Sequence, residues 1–172
     1  MESTISHLEV RQLPREELWQ IRELAIRIFP DTYREIVEQV QIDYMMELFY
    51  RPENLINQFE SGQVFLVIDL NGKAAGYASY TRLNQSGDFK LNKIYVDMLE
   101  HGKGLGRTLV LDLISRVKSA GGRNLELNVN KNNQAVGFYK AMGFRMKREE
   151  LLDIGSGYFM DDYVMEIAIN PV

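Results

Sequence analysis

The 172-residue sequence contains no cysteine and only two histidines, His7 and His101. The first absence excludes a disulfide framework, and the two together leave no set of Cys and His side chains from which a zinc site is built. We therefore expect no metal, and any chemistry must use oxygen and nitrogen groups.

Long apolar runs are absent as well, since none approaches the ~20 residues that a helix needs to cross a bilayer. Residues 1–6 also lack the basic stretch and apolar run of a secretory signal. We expect a soluble cytoplasmic protein without membrane contact. The length and the 45% hydrophobic content predict one domain, residues 1–172, with a sizeable core.

An excess of positive charge is lacking too, because the formal net charge is −4. Nucleic-acid binding rests on neutralising phosphates, so this balance argues against a general nucleic-acid binder. Residues 101–148 nevertheless hold ten Lys and Arg against only Asp112 and Glu126, a net of +8, which leaves −12 for the rest of the chain. This basic stretch could face an anion, or could be the ordinary solvated surface of its helices.

Hydrophobic periodicity and turn residues predict the secondary structure. The predicted strands are 4–11, 63–70, 74–83, 89–96, 125–129, 145–152 and 159–169. A helix is predicted after Pro14, ending at Phe29 before Pro30. Further helices are predicted within 31–59, broken near Asp43 and Pro52, and at 104–120 and 135–142.

A cluster of glycines, residues 101–106 (HGKGLG), follows a predicted strand and opens the helix at 104–120. Glycines let the backbone approach a phosphate closely, and the unpaired N–H groups of a first helical turn carry the positive end of the helix dipole. Lys103, Arg107 and the hydroxyl of Thr108 can add contacts. The turn is a candidate anion site, although glycines also serve simply to end a strand and begin a helix.

Two common phosphate-binding motifs do not fit this turn. A Walker loop needs a glycine, four residues and then Gly-Lys-Ser/Thr, and the sequence contains no such run. The dinucleotide fingerprint is Gly-x-Gly-x-x-Gly, whereas the spacing here is Gly-x-Gly-x-Gly after strands whose pattern is antiparallel. Its acidic partner is missing as well, because Glu126 lies in mid-strand. The turn alone therefore does not name its ligand.

Four segments follow one another along the chain: the strand 91–96, the turn ending in Gly104-Leu105-Gly106, the strand 127–129 and the segment 133–144, NQAVGFYKAMGF. In this order they resemble the core motifs of the GNAT-superfamily N-acetyltransferases. The resemblance implies an α/β fold with a mixed, mostly antiparallel sheet of about six to seven strands flanked by helices. It further implies an acetyl-CoA-binding core at about 62–169 and an acceptor-side helical cap at about 14–60.

The same resemblance implies acetyl-CoA as the co-substrate. It assigns the pantetheine arm to the backbone of Ile94, Tyr95 and Val96, and stabilisation of the oxyanion to the Val96 N–H. The other cofactor-binding residues that it implies are His101, Gly102, Lys103, Gly104, Leu105, Gly106, Arg107, Thr108, Asn132 or Asn133, Phe138 and Tyr139. Of the two asparagines we favour Asn133. GNAT members usually have Gln or Arg where His101 stands, so the role of that side chain stays open.

Tyr139 stands where GNAT members carry their general acid. A phenol of pKa about 10 can donate a proton to a thiolate whose conjugate acid lies near ~8.5. Tyr139 also belongs to an apolar stripe with Ala135, Phe138 and Met142, a pattern typical of a core residue.

No general base is evident. The positions where some GNAT members carry a glutamate are Asn92 and Asn128, and an amide cannot serve as a base. Deprotonation of the amine would pass through water or use Asp97, Asp161 or Asp162, all of which also suit ordinary turns and surfaces.

Two further segments, 29–33 (FPDTY) and 157–163 (GYFMDDY), are similar to bacterial diamine or polyamine acetyltransferases. An acidic mouth would steer a cationic amine into such a site. Its candidate residues are Asp31, Glu35, Glu38, Asp43 and Glu47, with Asp161 and Asp162. The same acids also fit the wet face of an amphipathic helix.

The sequence thus predicts acetyl transfer from acetyl-CoA to a primary amine by direct attack, with a polyamine or another small amine as acceptor. Two alternatives stay open: acetylation of protein N-termini or lysines, and a CoA-binding module without catalysis, which the missing base suggests. A nucleic-acid binder built on the basic stretch is the remaining option. The resemblance also implies a homodimer.

Overall fold

In the computed structural model, which describes residues 5–170, seven strands form one sheet. The strands are β1 (Leu8–Gln12), β2 (Val64–Leu70), β3 (Lys73–Arg82), β4 (Asp88–Val96), β5 (Asn124–Asn130), β6 (Arg145–Gly155) and β7 (Tyr158–Ala168). Their order is β1-β2-β3-β4-β5-β7-β6, and every neighbouring pair is antiparallel except β4 and β5. The predicted mixed, mostly antiparallel sheet is confirmed.

Helices cover both faces of this sheet. They are α1 (Trp19–Tyr33), α2 (Gln39–Tyr50), α3 (Pro52–Glu60), α4 (Leu105–Ser119) and α5 (Ala135–Ala141), with short 3-10 turns at Arg15–Glu17 and Met98–Glu100. We call α1, α2 and α3 the helical cap, which packs on one face, while α4 and α5 pack on the other. Within residues 5–170, no helix is long and apolar enough to span a membrane.

The sheet has a hydrophobic core on each face because side chains of a strand alternate between faces. In β2, Phe65 and Val67 are buried beneath the helical cap, whereas Leu66 and Ile68 are buried beneath α4. A strand covered on both sides must be apolar at successive positions. This explains the apolar run that marked β2 in the sequence.

The prediction that the first helix ends before Pro30 is wrong, because α1 continues through Pro30 to Tyr33. A proline inside a helix leaves the carbonyl four residues earlier without its N–H partner. Here that carbonyl belongs to Ile26, a residue that is 55% exposed, so water can replace the lost hydrogen bond. Phe29 and Tyr33, both buried in the cap core, stabilise the last turn.

The predicted break near Asp43 is also wrong. Helix α2 runs through Asp43, whose carboxylate accepts a hydrogen bond from Gln39 Nε2 at 2.8 Å on the exposed side. The interruption lies earlier, at residues 34–38. At the N-terminus, Thr4 lies outside the described residues, and the first strand begins at Leu8. The remaining elements lie close to their predicted bounds.

Lys93 on β4 is a buried cation beneath the cap. It is 8% exposed, donates from Nζ to Gln58 Oε1 at 2.7 Å, and lies 5.7 Å from the centre of the Tyr50 ring. Burial lowers the pKa of Lys93 from 10.5 to about 8. Folding therefore disfavours its protonated form.

We expect Lys93→Met to stabilise the protein at pH 7 and to change its pH dependence. Between about pH 8 and pH 10.5 the unfolded wild type binds one proton more than the folded protein at this residue, so its free energy of unfolding rises with pH. The rise due to Lys93 amounts to about 3 kcal/mol and is missing from the methionine variant.

Urea unfolding at pH 7 and pH 10 measures both effects. The same substitution at the exposed Lys140 is the control and should leave the pH dependence unchanged. A Lys93→Met protein that is less stable at pH 7 and keeps the wild-type slope would show that burying this ammonium costs nothing.

Candidate active site

A cleft opens where β4 and β5 separate. Their parallel pairing runs from Asp88 opposite Asn124 to Leu91 opposite Leu127 and ends there, although both strands continue. Beyond this point lies a cleft of about 650 Å³ between the end of β4, the start of α4 and the start of α5. Its volume falls in the range of ~300–1,000 Å³ typical of small-molecule sites.

The backbone of β4 presents free amides to this cleft. Asp97 N–H donates to Ala75 O in β3 at 2.9 Å, and the register pairs the preceding residue, Val96, with Gly76. Hydrogen-bonded and non-hydrogen-bonded pairs alternate in an antiparallel ladder. The N–H groups of Val96 and Ile94 therefore face away from β3, towards the side from which β5 has separated.

Tyr95 lies in the same stretch but uses its backbone differently. The alternation turns its N–H towards β3, and its hydroxyl lies 3.1 Å from the hydroxyl of Tyr33 in the helical cap. Of the three predicted backbone contacts, Ile94 and Val96 thus have amides available to a ligand, whereas Tyr95 contributes its position in the cleft wall.

The glycine turn supplies the second wall. Gly102 and Gly104 have φ angles of +83° and +82°, in the left-handed region that favours glycine, and no side chain of residues 5–170 caps the first turn of α4 at Gly104. The first amides of α4 are consequently available to an anion, with the positive end of the helix dipole behind them. Gly106 packs against α5, because a Cβ at this position would lie 3.5 Å from the Phe138 ring.

Thirteen of the fifteen predicted cofactor-binding residues line the cleft. They are Ile94, Tyr95, Val96, His101, Gly102, Gly104, Leu105, Gly106, Arg107, Asn132, Asn133, Phe138 and Tyr139. Lys103 and Thr108 are not among the lining residues of the described chain. Lys103 instead forms an ion pair with Glu100, and Thr108 N–H donates to Gly104 O within the start of α4.

The two candidate asparagines have different surroundings. Asn133 Oδ1 accepts from Ala135 N–H at 2.9 Å and so holds the start of α5, whereas Asn132 is exposed at the rim. Both line the cleft. Asn133 keeps its amide NH₂ as a donor while its oxygen is engaged, and the preference for Asn133 over Asn132 stays a prediction.

Tyr139 lies at the inner end of the cleft. It is buried, and burial raises the pKa of its phenol well above the usual value. The hydroxyl therefore stays protonated and can act as a donor. Tyr139 also lines a second, small polar cavity of about 40 Å³, together with Tyr33, Asn92 and Asn128.

The predicted acidic mouth is smaller than expected. Asp31 and Glu35, at the end of α1, line the cleft. Glu38, Asp43 and Glu47 are exposed and are not among its lining residues in the described chain, so this part of the prediction is wrong. The rotation of α2 about its axis turns Asp43 and Glu47 to solvent, and Glu38 directly precedes that helix.

The sequence interpretation missed several cleft residues. They are Thr32, Ile36, Met98, Glu100, Gln134 and Ala135. Met98 and Glu100 directly precede the glycine turn, and Gln134 and Ala135 begin α5. Adjacency to the predicted motifs was the only available signal for these four.

The three acids considered as a general base lie in different settings. Asp97 is buried, with Oδ1 accepting from Leu99 N–H at 3.0 Å and Oδ2 paired with Arg27, so both oxygens are engaged. Asp161 is exposed and pairs with Lys131 at 2.9 Å. Asp162 is only 4% exposed, and burial raises its pKa.

The basic stretch is partly neutralised by acids that lie outside it. Lys131 pairs with Asp161 at 2.9 Å and Arg145 with Glu166 at 3.1 Å, and Lys103 and Arg148 pair with Glu100 and Glu150. These ion pairs offset about half of the net +8 without a polyanionic partner.

A cleft with outward-facing strand amides on one wall and an uncapped helix terminus on the other can bind an extended ligand that carries an anionic group. The sequence profile of the acetyltransferase (GNAT) domain matches residues 34–159 of the chain. The chain therefore belongs to the GNAT acetyltransferase family, and the resemblance predicted from its motifs is confirmed.

Known proteins that are similar to the chain are named for different acceptors. Phosphinothricin N-acetyltransferase of Alcaligenes faecalis is 30% identical over 118 residues, which cover 64% of this chain and 59% of that protein. Peptidyl-lysine N-acetyltransferase YjaB of Salmonella typhimurium is 31% identical over 112 residues, covering 60% and 74%. The matched part of the chain thus spans less than two thirds of the first of these proteins.

The fold has a close counterpart among solved structures. The PaiA N-acetyltransferase of Thermoplasma acidophilum, solved in complex with coenzyme A, has a TM-score of 0.78 and 23% identity, covering 94% of this chain and 99% of that one. This likeness concerns the fold. The narrower resemblance to polyamine acetyltransferases stays a prediction.

Proposed function

We propose that the protein is an acetyl-CoA-dependent N-acetyltransferase that transfers the acetyl group to a primary amine by direct attack. The observation that carries this proposal is the cleft, which is lined by the end of β4, the uncapped start of α4 and Tyr139. The helical cap forms the acceptor side and the residues from β2 onward form the donor side.

The donor side offers acetyl-CoA both positive charge and backbone hydrogen bonds. The pyrophosphate would accept hydrogen bonds from the first amides of α4, with Arg107 adding a positive charge at the cleft wall. The amide-containing pantetheine arm would pair with the free amides of Ile94 and Val96, as an added strand does. His101 lies at the exposed rim, where it can donate to a phosphate.

The chemistry needs two groups from the chain. The Val96 N–H, held in a strand, donates to the thioester oxygen as negative charge develops there. The amine nitrogen forms a bond to the carbonyl carbon, the carbon–sulfur bond breaks, and the Tyr139 hydroxyl donates its proton to the departing thiolate. The amine nitrogen loses one proton to water, and Tyr139 later regains from water the proton that it gave to the thiolate. The protons therefore balance.

The acceptor that we propose is a small cationic amine, such as a polyamine. Asp31 and Glu35 line the cap side of the cleft and would attract a second positive charge on the acceptor. The similarity to the phosphinothricin enzyme supports a small-molecule acceptor, and the similarity to the peptidyl-lysine enzyme favours the alternative of a protein lysine.

We expect Asp31→Asn/Glu35→Gln to raise KM for a diamine about fivefold to tenfold, with little change for a monoamine of the same length. The two carboxylates would each contribute up to about 1 kcal/mol to binding of the second positive charge, with Asp31 also paired to Arg34, and the effect should shrink at high salt. The matched control is Asp43→Asn/Glu47→Gln, which removes the same charge outside the cleft. Equal KM values for test and control would contradict an acidic acceptor site.

An acceptor panel separates the alternatives. Thiol release from acetyl-CoA would be followed with polyamines, monoamines, amino acids and lysine-containing peptides. Turnover of small amines but not peptides supports the proposal, and turnover of peptides alone supports the protein-lysine alternative. Tight binding of acetyl-CoA without turnover of any amine would identify a module without catalysis.

A further inference from the structure

Asn128 on β5 is held by carboxylates from the two neighbouring strands. Its Nδ2 donates to Glu150 Oε2 on β6 at 2.7 Å and to Asp162 Oδ2 on β7 at 3.3 Å. Glu150 and Asp162 are cross-strand partners, so the two acceptors lie side by side. Both N–H groups of the amide are used, and turning the amide over would place its oxygen against two carboxylates. The orientation of Asn128 is therefore determined by charge.

This orientation leaves the Asn128 oxygen without a partner. Asn128 Oδ1 is buried and accepts no hydrogen bond from any described residue, and the same holds for Asn92 Oδ1 on β4. Both residues line the small polar cavity of about 40 Å³. Buried carbonyl oxygens are nearly always hydrogen-bonded, so two unpartnered ones at a single cavity indicate a missing donor.

Asn92 is placed at this cavity by a bulge in β4. Lys93 pairs with Ser79 and Leu91 pairs with Tyr80, which leaves Asn92 without a partner on β3. Bulges redirect a side chain and are common beside active sites. The bulge immediately follows Leu91, the last residue of β4 that pairs with β5.

The small cavity adjoins the cleft where the thioester would lie. Ile94, Tyr95, Asn133 and Tyr139 line both spaces. A water molecule needs about 10–15 Å³ of such volume, so this cavity has room for a nitrogen group or a few waters and not for a whole acceptor. Its size therefore suits the reacting end of an acceptor.

We propose that Asn92 and Asn128 bind the attacking nitrogen of the acceptor, each oxygen accepting one N–H, and that Glu150 and Asp162 are positioning residues that hold the Asn128 amide in place. This inference rests on the proposed function. Two acceptors for two N–H groups leave the lone pair of a neutral primary amine free for the thioester carbon. The subsite consequently selects unsubstituted primary amines over their N-methyl derivatives, which have one N–H fewer.

The test uses a primary amine and its N-methyl derivative with the full chain. We expect wild type to prefer the primary amine at least tenfold in kcat/KM, and Asn128→Leu to lower kcat/KM for it about 10-fold to 100-fold while reducing that preference. Asn92→Ala is the second variant, because Asn92 donates to neither carboxylate, so its loss leaves the Glu150 and Asp162 contacts intact. The dissociation constant for acetyl-CoA should be unchanged in both.

The positioning pair is tested by Glu150→Gln/Asp162→Asn. Without the two negative charges the Asn128 amide is free to turn over, and we expect amine affinity to fall about fivefold. The matched control is Glu149→Gln/Asp153→Asn, the same two kinds of change at exposed positions of β6. The control should bind the amine as wild type does.

Calorimetric titration of the primary amine, with and without CoA, separates this inference from the proposed function. Loss of amine affinity in Asn128→Leu supports the subsite even if acetyl transfer is slow. A wild type that binds acetyl-CoA but no amine, or variants with wild-type amine affinity and unchanged N-methyl discrimination, would overturn it. Failure to bind acetyl-CoA would instead overturn the proposed function.

Discussion

Tyr139→Phe is expected to lower kcat about 100-fold while leaving the dissociation constant for acetyl-CoA unchanged. A positioned proton donor contributes about 100-fold to 10,000-fold to such a reaction, and we take the lower end because the leaving thiolate is itself a moderately weak base. Phenylalanine fills the same buried space between the cleft and the small cavity, so the packing of α5 is retained.

The hydroxyl of Tyr139 is protonated at neutral pH, and burial, by raising its pKa, makes it a weaker acid than a free phenol, so its role rests on its position beside the leaving group. Single-turnover measurements at saturating acetyl-CoA report the chemical step and so avoid product release. The control is Tyr163→Phe, at a tyrosine that lies on β7 and is not among the lining residues of either space in the described chain. An unchanged rate in Tyr139→Phe would remove this residue from the mechanism.

Gly104→Asp is expected to raise the dissociation constant for acetyl-CoA about 100-fold. A carboxylate at the start of α4 would lie beside the proposed pyrophosphate site, and repulsion at about 5 Å amounts to roughly 3 kcal/mol at an effective dielectric constant near 20. The space itself is open, since a Cβ at Gly104 meets nothing within 4 Å in residues 5–170. The effect is therefore electrostatic rather than steric.

Two controls isolate the charge. Gly104→Asn has the same shape and tolerates the same left-handed φ of +82°, so it should weaken binding only a few-fold. Gly72→Asp places the same carboxylate at a turn with the same φ of +82° and equally open surroundings, away from the cleft, and should bind acetyl-CoA normally. Equal losses for Gly104→Asp and Gly104→Asn would assign the effect to the backbone and not to an anion site.

The local sequence pattern was sufficient to predict those parts of the site that are formed by a single segment of the chain. The glycine turn, the strand ending in Val96 and the helix carrying Tyr139 are each encoded by neighbouring residues. Glycine spacing sets the φ angles, and apolar spacing sets which face of a helix is buried. Their order along the chain was enough to identify the family, which the sequence profile confirms.

Which acids line the acceptor side depends on how each helix is rotated about its axis, and the sequence of a helix does not determine that rotation. Asp31 and Asp43 lie in the same acidic region, but only Asp31 reaches the cleft, because α1 ends there and α2 turns its acids outward. Similarly, α1 passes through Pro30 because packing of Phe29 and Tyr33 stabilises the turn beyond it. Several tertiary contacts together can outweigh a local signal such as a proline.

The sequence by itself determined the family, the glycine turn and the candidate acid, because these follow from local conformational preference and motif order. It also showed that Asn92 and Asn128 cannot act as bases, because an amide does not accept a proton usefully. Only the tertiary structure brought Glu150 and Asp162 beside Asn128, since the β5-β7-β6 order joins strands that are distant along the chain. The role of a polar side chain here is decided by its cross-strand partners, and sheet register is a property of the folded chain.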